Sequence, residues 1–161
     1  METFDVLIIG AGMSGIGAAY YIQKNCPDKT YRILESRASH GGTWSLFKYP
    51  GIRSDSDMYT FGYSFHPWRN KSAISDGKSI LEYSHQTVMK YHINEHIQYK
   101  SSVRRAVWDG AQHMWKIDYT CDGVNKRMRC RFIFICTGRP VKRVWYFYQM
   151  TSSIVNRLLQ L

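Results

Sequence analysis

A strand, a glycine-rich turn and a helix open the chain, and that order of parts restricts the fold more than any other stretch. Asp5-Val6-Leu7-Ile8-Ile9 runs into Gly10-Ala11-Gly12-Met13-Ser14-Gly15, and Glu35 follows about twenty residues later. A dinucleotide needs this arrangement. Gly10 permits the tight turn, Gly12 lets the backbone approach a pyrophosphate, and Gly15 lets the helix pack close to the strand. The helix N-terminus offers free N–H groups and a partial positive charge to phosphates. Val6 to Ile9 is apolar throughout, as in a parallel strand buried on both faces. Ile16, Ala18, Ala19, Tyr20 and Ile22 continue as a helix that Pro27 must close. Thr30-Tyr-Arg-Ile-Leu-Glu35 returns as a second strand, and Glu35 at its end can accept hydrogen bonds from ribose hydroxyls.

The chain has 161 residues, 44% hydrophobic and 21% charged, which suits one globular domain with a core of its own. It is short for an enzyme that must hold a dinucleotide and a second substrate. No stretch approaches the roughly 18 apolar residues of a membrane span, so no integral membrane segment is expected. The N-terminus enters a strand directly, without the basic and apolar regions of a signal peptide. Cys26, Cys121, Cys130 and Cys136 show no C-x-x-C spacing and read as free, mostly buried thiols of a reducing compartment, which points to the cytoplasm. The net charge of +10 is scattered, with modest clusters at Arg104-Arg105, Lys126 to Arg131 and Arg139 to Arg143. Solvated strand faces and attraction for an anionic cofactor account for it, and nucleic acid is not an expected partner.

Residues 37–78 form a long loop-rich stretch, a length that in a compact domain signals function. A helix is predicted over 79–92, with Ser79 and Glu82 as a capping box and Leu81, Val88 and Tyr91 on one face. Strands follow at Ile97–Tyr99, Val103–Trp108, Met114–Thr120 and Lys126–Arg131, with turns at Asp109-Gly110 and Asp122-Gly123. This reads as a small antiparallel meander joined to a doubly wound sheet. Phe132-Ile-Phe-Ile-Cys136 is apolar again and is predicted to rejoin the parallel sheet, its end at Thr137-Gly138 reaching the same dinucleotide. His85, His92 and His96 lie in or just after the predicted helix without further ligands, so no metal site is predicted.

Gly41-Gly-Thr-Trp44 and Tyr49-Pro-Gly-Ile-Arg-Ser-Asp55-Ser-Asp-Met-Tyr59 are the distinctive residues. With Gly10 to Gly15, Glu35 and the Cys136-Thr-Gly138 strand end, they resemble the N-terminal FAD domain of class B flavin monooxygenases, a family that includes the Baeyer–Villiger and flavin-containing monooxygenases. The likeness is greatest to bacterial enzymes of the ethionamide-activating type and covers about residues 4–138. It implies an α/β fold: a Rossmann-like FAD/NAD(P)-binding domain whose parallel sheet carries an inserted antiparallel meander. It implies FAD and NADP as cofactors, with a ketone or a sulfur or nitrogen compound as the small-molecule substrate. Within it, Gly10, Gly12, Ser14 and Gly15 match the turn on the FAD pyrophosphate, and Glu35 the acid on the adenosine ribose. Thr43, Trp44 and Leu46 match positions lining the ribityl and flavin region. Asp55 matches an aspartate beside the flavin ring, Arg53 and Ser54 match contacts to NADP, and Val103 matches a backbone contact to adenine. The residue types agree: Trp44 can cover a flat ring, and Pro50-Gly51 forces a turn presenting Arg53 and Asp55 together, as an orienting pair or as a surface salt bridge.

The resemblance stops near Gly138. Family members run several times longer and carry a second Rossmann domain for NADP, a Phe, Gly, His and Trp-Pro signature, and a catalytic arginine, none of which this chain contains. Residues 139–161 resemble nothing in the family, although Ile154, Leu158, Leu159 and Leu161 fit a short amphipathic helix. The simplest reading is a frameshifted tail on a partial FAD domain over 1–138, with no catalytic residue in the chain. A second glycine turn in another reading frame downstream of Gly138 is the expected sign. A partial domain should expose a sheet edge and apolar surface from Phe132 to Phe147, bind FAD weakly and self-associate. Two other readings remain open: a non-catalytic FAD or nucleotide-binding module, and an NAD(P)-binding Rossmann protein.

Overall fold

In the computed structural model, residues 1–138 are described. The tail and its Ile154–Leu161 helix lie outside the described residues. Six strands form one mixed sheet: β1 (Glu2–Ile9), β2 (Tyr31–Leu34), β3 (Ile97–Gln98), β4 (Ser101–Asp109), β5 (Met114–Cys121) and β6 (Val124–Ile135). Their spatial order is β3-β2-β1-β6-β5-β4. β3, β2, β1 and β6 run parallel, while β5 and β4 add antiparallel to β6. The Rossmann-like α/β architecture is thus the one the sequence implied.

β1 owes its central place to its composition. Val6 to Ile9 are buried on alternating faces. Val6 and Ile8, with Ile33 of β2, pack on Ile16, Ala19 and Ile22 of α1 (Met13–Asn25). Leu7, Ile9 and Leu34 face the other way, onto Ala106, Ile117, Tyr119 and Met128 from the meander. The meander therefore covers that face of its own sheet. β4 curls back far enough for Ser101 N to donate to Glu35 O at 2.8 Å.

β6 departs from the expected outline. Lys126–Arg131 and Phe132–Cys136 are not two strands but parts of one, because Met128 and Cys130 point into the core while the chain changes partner. Its first half pairs with β5 as far as Trp115↔Cys130, and pairing with β1 runs from Glu2↔Met128 to Ile9↔Ile135. From Arg131 onward β6 has β1 alone as its described neighbour. Phe132 and Phe134 stand on the α1 side of the sheet, 61% and 47% exposed. Among the described residues an apolar edge is thus open over Phe132–Ile135, and its continuation to Phe147 lies outside them. Among the thiols, Cys130 is buried but Cys26 is exposed, so the expectation of mostly buried cysteines fits only in part.

The helix after the long loop also begins earlier than its sequence suggested. α4 spans Gly77–Lys90, and its N-cap is Asp76, not Ser79. Asp76 Oδ1 accepts from Ser79 N at 2.9 Å and Oδ2 from Ser79 Oγ at 2.8 Å. Ser79 is the N3 partner of an acidic cap, which satisfies the free N–H better than a serine one turn later. The buried face is Ile80, Tyr83, Ser84, Thr87 and Val88, with Leu81 only half-buried. Asp76→Ala is expected to cost about 1 kcal/mol, read as a lower urea midpoint at unchanged slope. The long loop holds two single-turn helices, α2 (Thr43–Leu46) and α3 (Met58–Phe61), and α4 is followed by a 3₁₀ turn at Ile93–His96.

Candidate functional site

A cleft of about 990 Å³ opens at the carboxyl ends of β1, β2 and β6. Its floor is the glycine turn. Gly10 adopts φ +103°, and a Cβ there would stand 2.7 Å from the Cys136 carbonyl oxygen. That conformation and that gap both demand glycine. The turn is fastened on two sides: Gly10 N donates to Leu34 O and Cys136 N to Ile9 O, each at 2.8 Å. Cys136, Thr137 and Gly138 therefore line the cleft as the strand-end reading expected.

Gly12 is the N-cap of α1 and supplies no side-chain cap, and the first turn holds no acidic residue. The helix N-terminus thus opens on the cleft at Met13 and Ser14 with its N–H groups and positive pole unspent. Gly12 also meets Gly42 backbone to backbone: a Cβ on Gly42, which has φ +57°, would lie 2.9 Å from Gly12 Cα. The two glycine motifs, read separately in the sequence, form one cradle. Gly15 lies beneath the cleft rather than in its wall, pressed on the Gly10 carbonyl.

Glu35 is 4% exposed and lines the cleft beside this cradle. Its Oε2 accepts from Ala11 N at 2.8 Å and its Oε1 from Arg37 N at 3.0 Å. Arg37 Nε stands 3.5 Å from Oε1, and Arg37 Nη2 donates to Gly42 O at 3.0 Å. Ser36 Oγ also reaches Oε1, at 3.4 Å, whereas Oε2 accepts from Ala11 N alone among the described residues, so Oε2 keeps an acceptor position for a hydroxyl donor in the cleft. Arg37 was not singled out in the sequence, although its place two residues after the strand-ending acid is a usable signal. Its Nη1 is buried without a hydrogen-bond partner among the described residues.

Thr43, Trp44, Leu46 and Val103 line the same cleft. Trp44 packs edge-on to Phe61, with centroids 6.2 Å apart, and leans on the Met58, Ile80 and Tyr83 cluster. Val103 reaches the cleft at a bulge: the β4–β5 register shifts between Val103 and Arg105, and Arg104 is turned to the cavity wall.

Arg53, Ser54 and Asp55 lie elsewhere. With Ile74 they line a second depression of about 410 Å³. Ser54 is buried and engaged with Ser75, donating through N to Ser75 O at 2.8 Å and accepting at Oγ from Ser75 N at 3.0 Å. Arg53 and Asp55 form no ion pair among the described residues. Both nevertheless line that one depression, where the backbone of Arg53 forms an isolated antiparallel bridge with that of Asp76. Among the described residues no group of three metal-ligating side chains gathers, and no helix is long and apolar enough to cross a membrane.

Comparison with known proteins agrees with this fold. Residues 8–75 match the family model of the NAD(P)-binding Rossmann-like domain. The chain is 50% identical over 137 residues to the FAD-containing monooxygenase EthA of Mycobacterium tuberculosis (strain ATCC 25618 / H37Rv), covering 85% of this chain and 28% of that protein. Among solved structures, an oxidised steroid monooxygenase bound to NADP superposes with a TM-score of 0.77 at 25% identity, covering 84% of this chain and 26% of its own. OTEMO in complex with FAD and NADP superposes with a TM-score of 0.75 at 26% identity, over 84% of this chain and 25% of its own. The homologues of this chain are FAD-containing monooxygenases, and it spans their N-terminal portion, between a quarter and a third of their length.

Proposed function

We propose that residues 1–138 are the FAD-binding part of an NADPH- and oxygen-dependent flavin monooxygenase acting on a ketone or a soft heteroatom. One observation carries this reading: Gly10, Gly12, the open α1 N-terminus, Gly42 and Glu35 converge on one cleft. The residues fit the cofactor. The α1 N–H groups and the spare Arg37 Nη1 donor suit a pyrophosphate. Glu35 suits a ribose diol, and the half-buried Trp44 suits the edge of a ring system. Flavin supplies hydride acceptance and oxygen activation when bound. The protein's own part is to hold it, through Gly12, Ser14, Glu35, Thr43, Leu46 and Val103, and to keep water from it.

Arg53, Ser54 and Asp55 we assign to the nicotinamide cofactor in the complete enzyme, where the remainder of the fold would close their depression onto the cleft. The open edge at Phe132–Ile135 supports self-association of this chain, and the unpaired cysteines support a cytoplasmic setting.

Adding FAD to the purified 161-residue chain tests the assignment. A quenched flavin emission and a structured visible band are expected, with micromolar or weaker affinity. NADPH is expected to leave that flavin oxidised, because Arg53 and Asp55 stand outside the cleft. Binding of NAD(P) in place of FAD would instead favour a plain Rossmann protein.

A further inference from the structure

The Gly41–Gly42 wall of the cleft is held from behind by a chain of three rings that the cofactor reading does not use. His40 is buried at 8% exposure. Its Nδ1 lies 2.6 Å from the Tyr99 hydroxyl, and its Nε2 lies 2.6 Å from Nδ1 of His85 on α4. The imidazole planes cross at 72°. From there hydrogen bonds lead to the cleft. Gly41 N donates to Ala11 O at 2.9 Å, and Ala11 N donates to Glu35. Tyr99 O accepts from Ser101 Oγ at 2.9 Å, at the head of the strand that carries Val103. The three rings thus tie α4, the glycine turn and the adenine-side wall together.

We propose that Tyr99, His40 and His85 form a proton-sensitive brace, in which His40 and His85 position the Gly41–Gly42 turn for the dinucleotide and release it when both imidazoles are charged. The proposal rests on the cofactor reading above and adds a control to it.

Proton counting gives the mechanism. With both imidazoles neutral, each link holds one proton: His40 Nε2–H donates to His85 Nδ1 while Tyr99 O–H donates to His40 Nδ1, or both links run the other way. One added proton is accommodated, since a charged His85 donates from Nδ1 to a neutral His40, which donates to Tyr99. A second cannot be, because two N–H groups would then face each other across the His40–His85 link. The ionisable groups around His40 are His85 from α4, Tyr99 beyond β3, and Glu35 at the end of β2 with Arg37 against it. Burial chiefly, then the His85 charge, pull His40 from its ordinary 6.5 down to about 4, against the opposing pull of Glu35. The sign follows. The folded chain binds fewer protons than the unfolded one between these values, so the brace is fully effective above 6.5 and fails as pH falls through about 4.

The test uses the 161-residue chain with ¹⁵N-labelled histidine and backbone, together with FAD titrations at pH 7.5 and 3.5. Gly41 and Gly42 amide shifts should follow the His40 titration, with a midpoint near 4. FAD binding by the unaltered chain should weaken about fourfold more than that of His85→Gln between the two pH values, since about a quarter of His40 stays neutral at the lower one. Glutamine keeps an acceptor for His40 Nε2–H without adding a charge, so it preserves the pH 7.5 affinity and removes the excess acid loss. His85→Leu should bind about tenfold more weakly at both pH values. Glycine amides that ignore His40, or equal acid losses in the unaltered chain and His85→Gln, would overturn the brace. Absence of FAD binding at pH 7.5 would instead sink the cofactor reading, and the amide titration would still decide the brace.

Discussion

Gly15→Ala should destabilise the chain by at least about 2 kcal/mol, although alanine is the better helix former by up to about 1 kcal/mol. The reason is where the methyl would go. It overlaps the Gly10 carbonyl oxygen, with the Gly10 carbonyl carbon at 3.1 Å and Ile8 Cγ2 at 3.3 Å. Two of those three atoms are backbone, so no rotamer change relieves the clash. α1 must lift from β1, loosening Ile16, Ala19 and Ile22 against Val6, Ile8 and Ile33. In a domain whose whole stability is about 5–15 kcal/mol, that is a large fraction. Gly110→Ala is the matched control: the nearest atom to its Cβ is Trp108 Nε1 at 4.0 Å, and the change should stay within about 0.5 kcal/mol. Urea unfolding of both variants reads the difference. A Gly15→Ala chain as stable as the parent would mean that α1 does not sit on the glycine turn as described.

Replacing Glu35 should damage stability and cofactor binding together. Its carboxylate accepts from two backbone N–H groups and faces the Arg37 guanidinium. Glu35→Ala leaves the Ala11 and Arg37 donors unpaired at a nearly buried site, and a cost of about 2 kcal/mol is expected; the part-exposed Arg37 side chain moderates it. FAD affinity should fall at least about a hundredfold, because the ribose loses its charge-assisted acceptor and the turn loses its anchor. Glu35→Gln should fall between, since an amide can accept from one N–H but turns a second donor toward the other. Unfolding and flavin titrations on the two variants measure both losses. A Glu35→Gln chain with parental stability would show that the carboxylate's charge contributes nothing to the fold.

The parts legible in the sequence are those that short-range chemistry dictates. Val6 to Ile9 and the glycine turn leading into α1 match the sequence reading of local structure because strand, turn and helix there obey local rules. β6 was split in two because its charged half and its apolar half have different environments, the first against β5 and the second beside β1. The start of α4 was misplaced because Asp76 and Ser79 both qualify as caps three residues apart. Arg53 and Asp55 share one depression without an ion pair among the described residues, and that depression's separation from the cleft is not encoded by the turn before them. Their position is set instead by residues far along the chain, through the Ser54–Ser75 bonds and Met58 N donating to Ala73 O. The His40–His85 pair was invisible for the same reason: neither residue has a local partner that marks it.

The seat of β1 at the middle of the sheet also bears on how the chain is made. β1 leaves the ribosome ahead of the other five strands, and β2 soon follows to cover one side of it. Its other neighbour is β6, with Glu2 facing Met128, almost the last described segment to be synthesised. Through most of translation β1 therefore waits with one flank unsatisfied. Such non-local pairing is slow and leaves a growing chain open to wrong partners. β6 acts as the closing strand for both the parallel half and the meander, so a nascent chain halted before Val124 holds the cofactor turn but lacks the strand that joins those two halves.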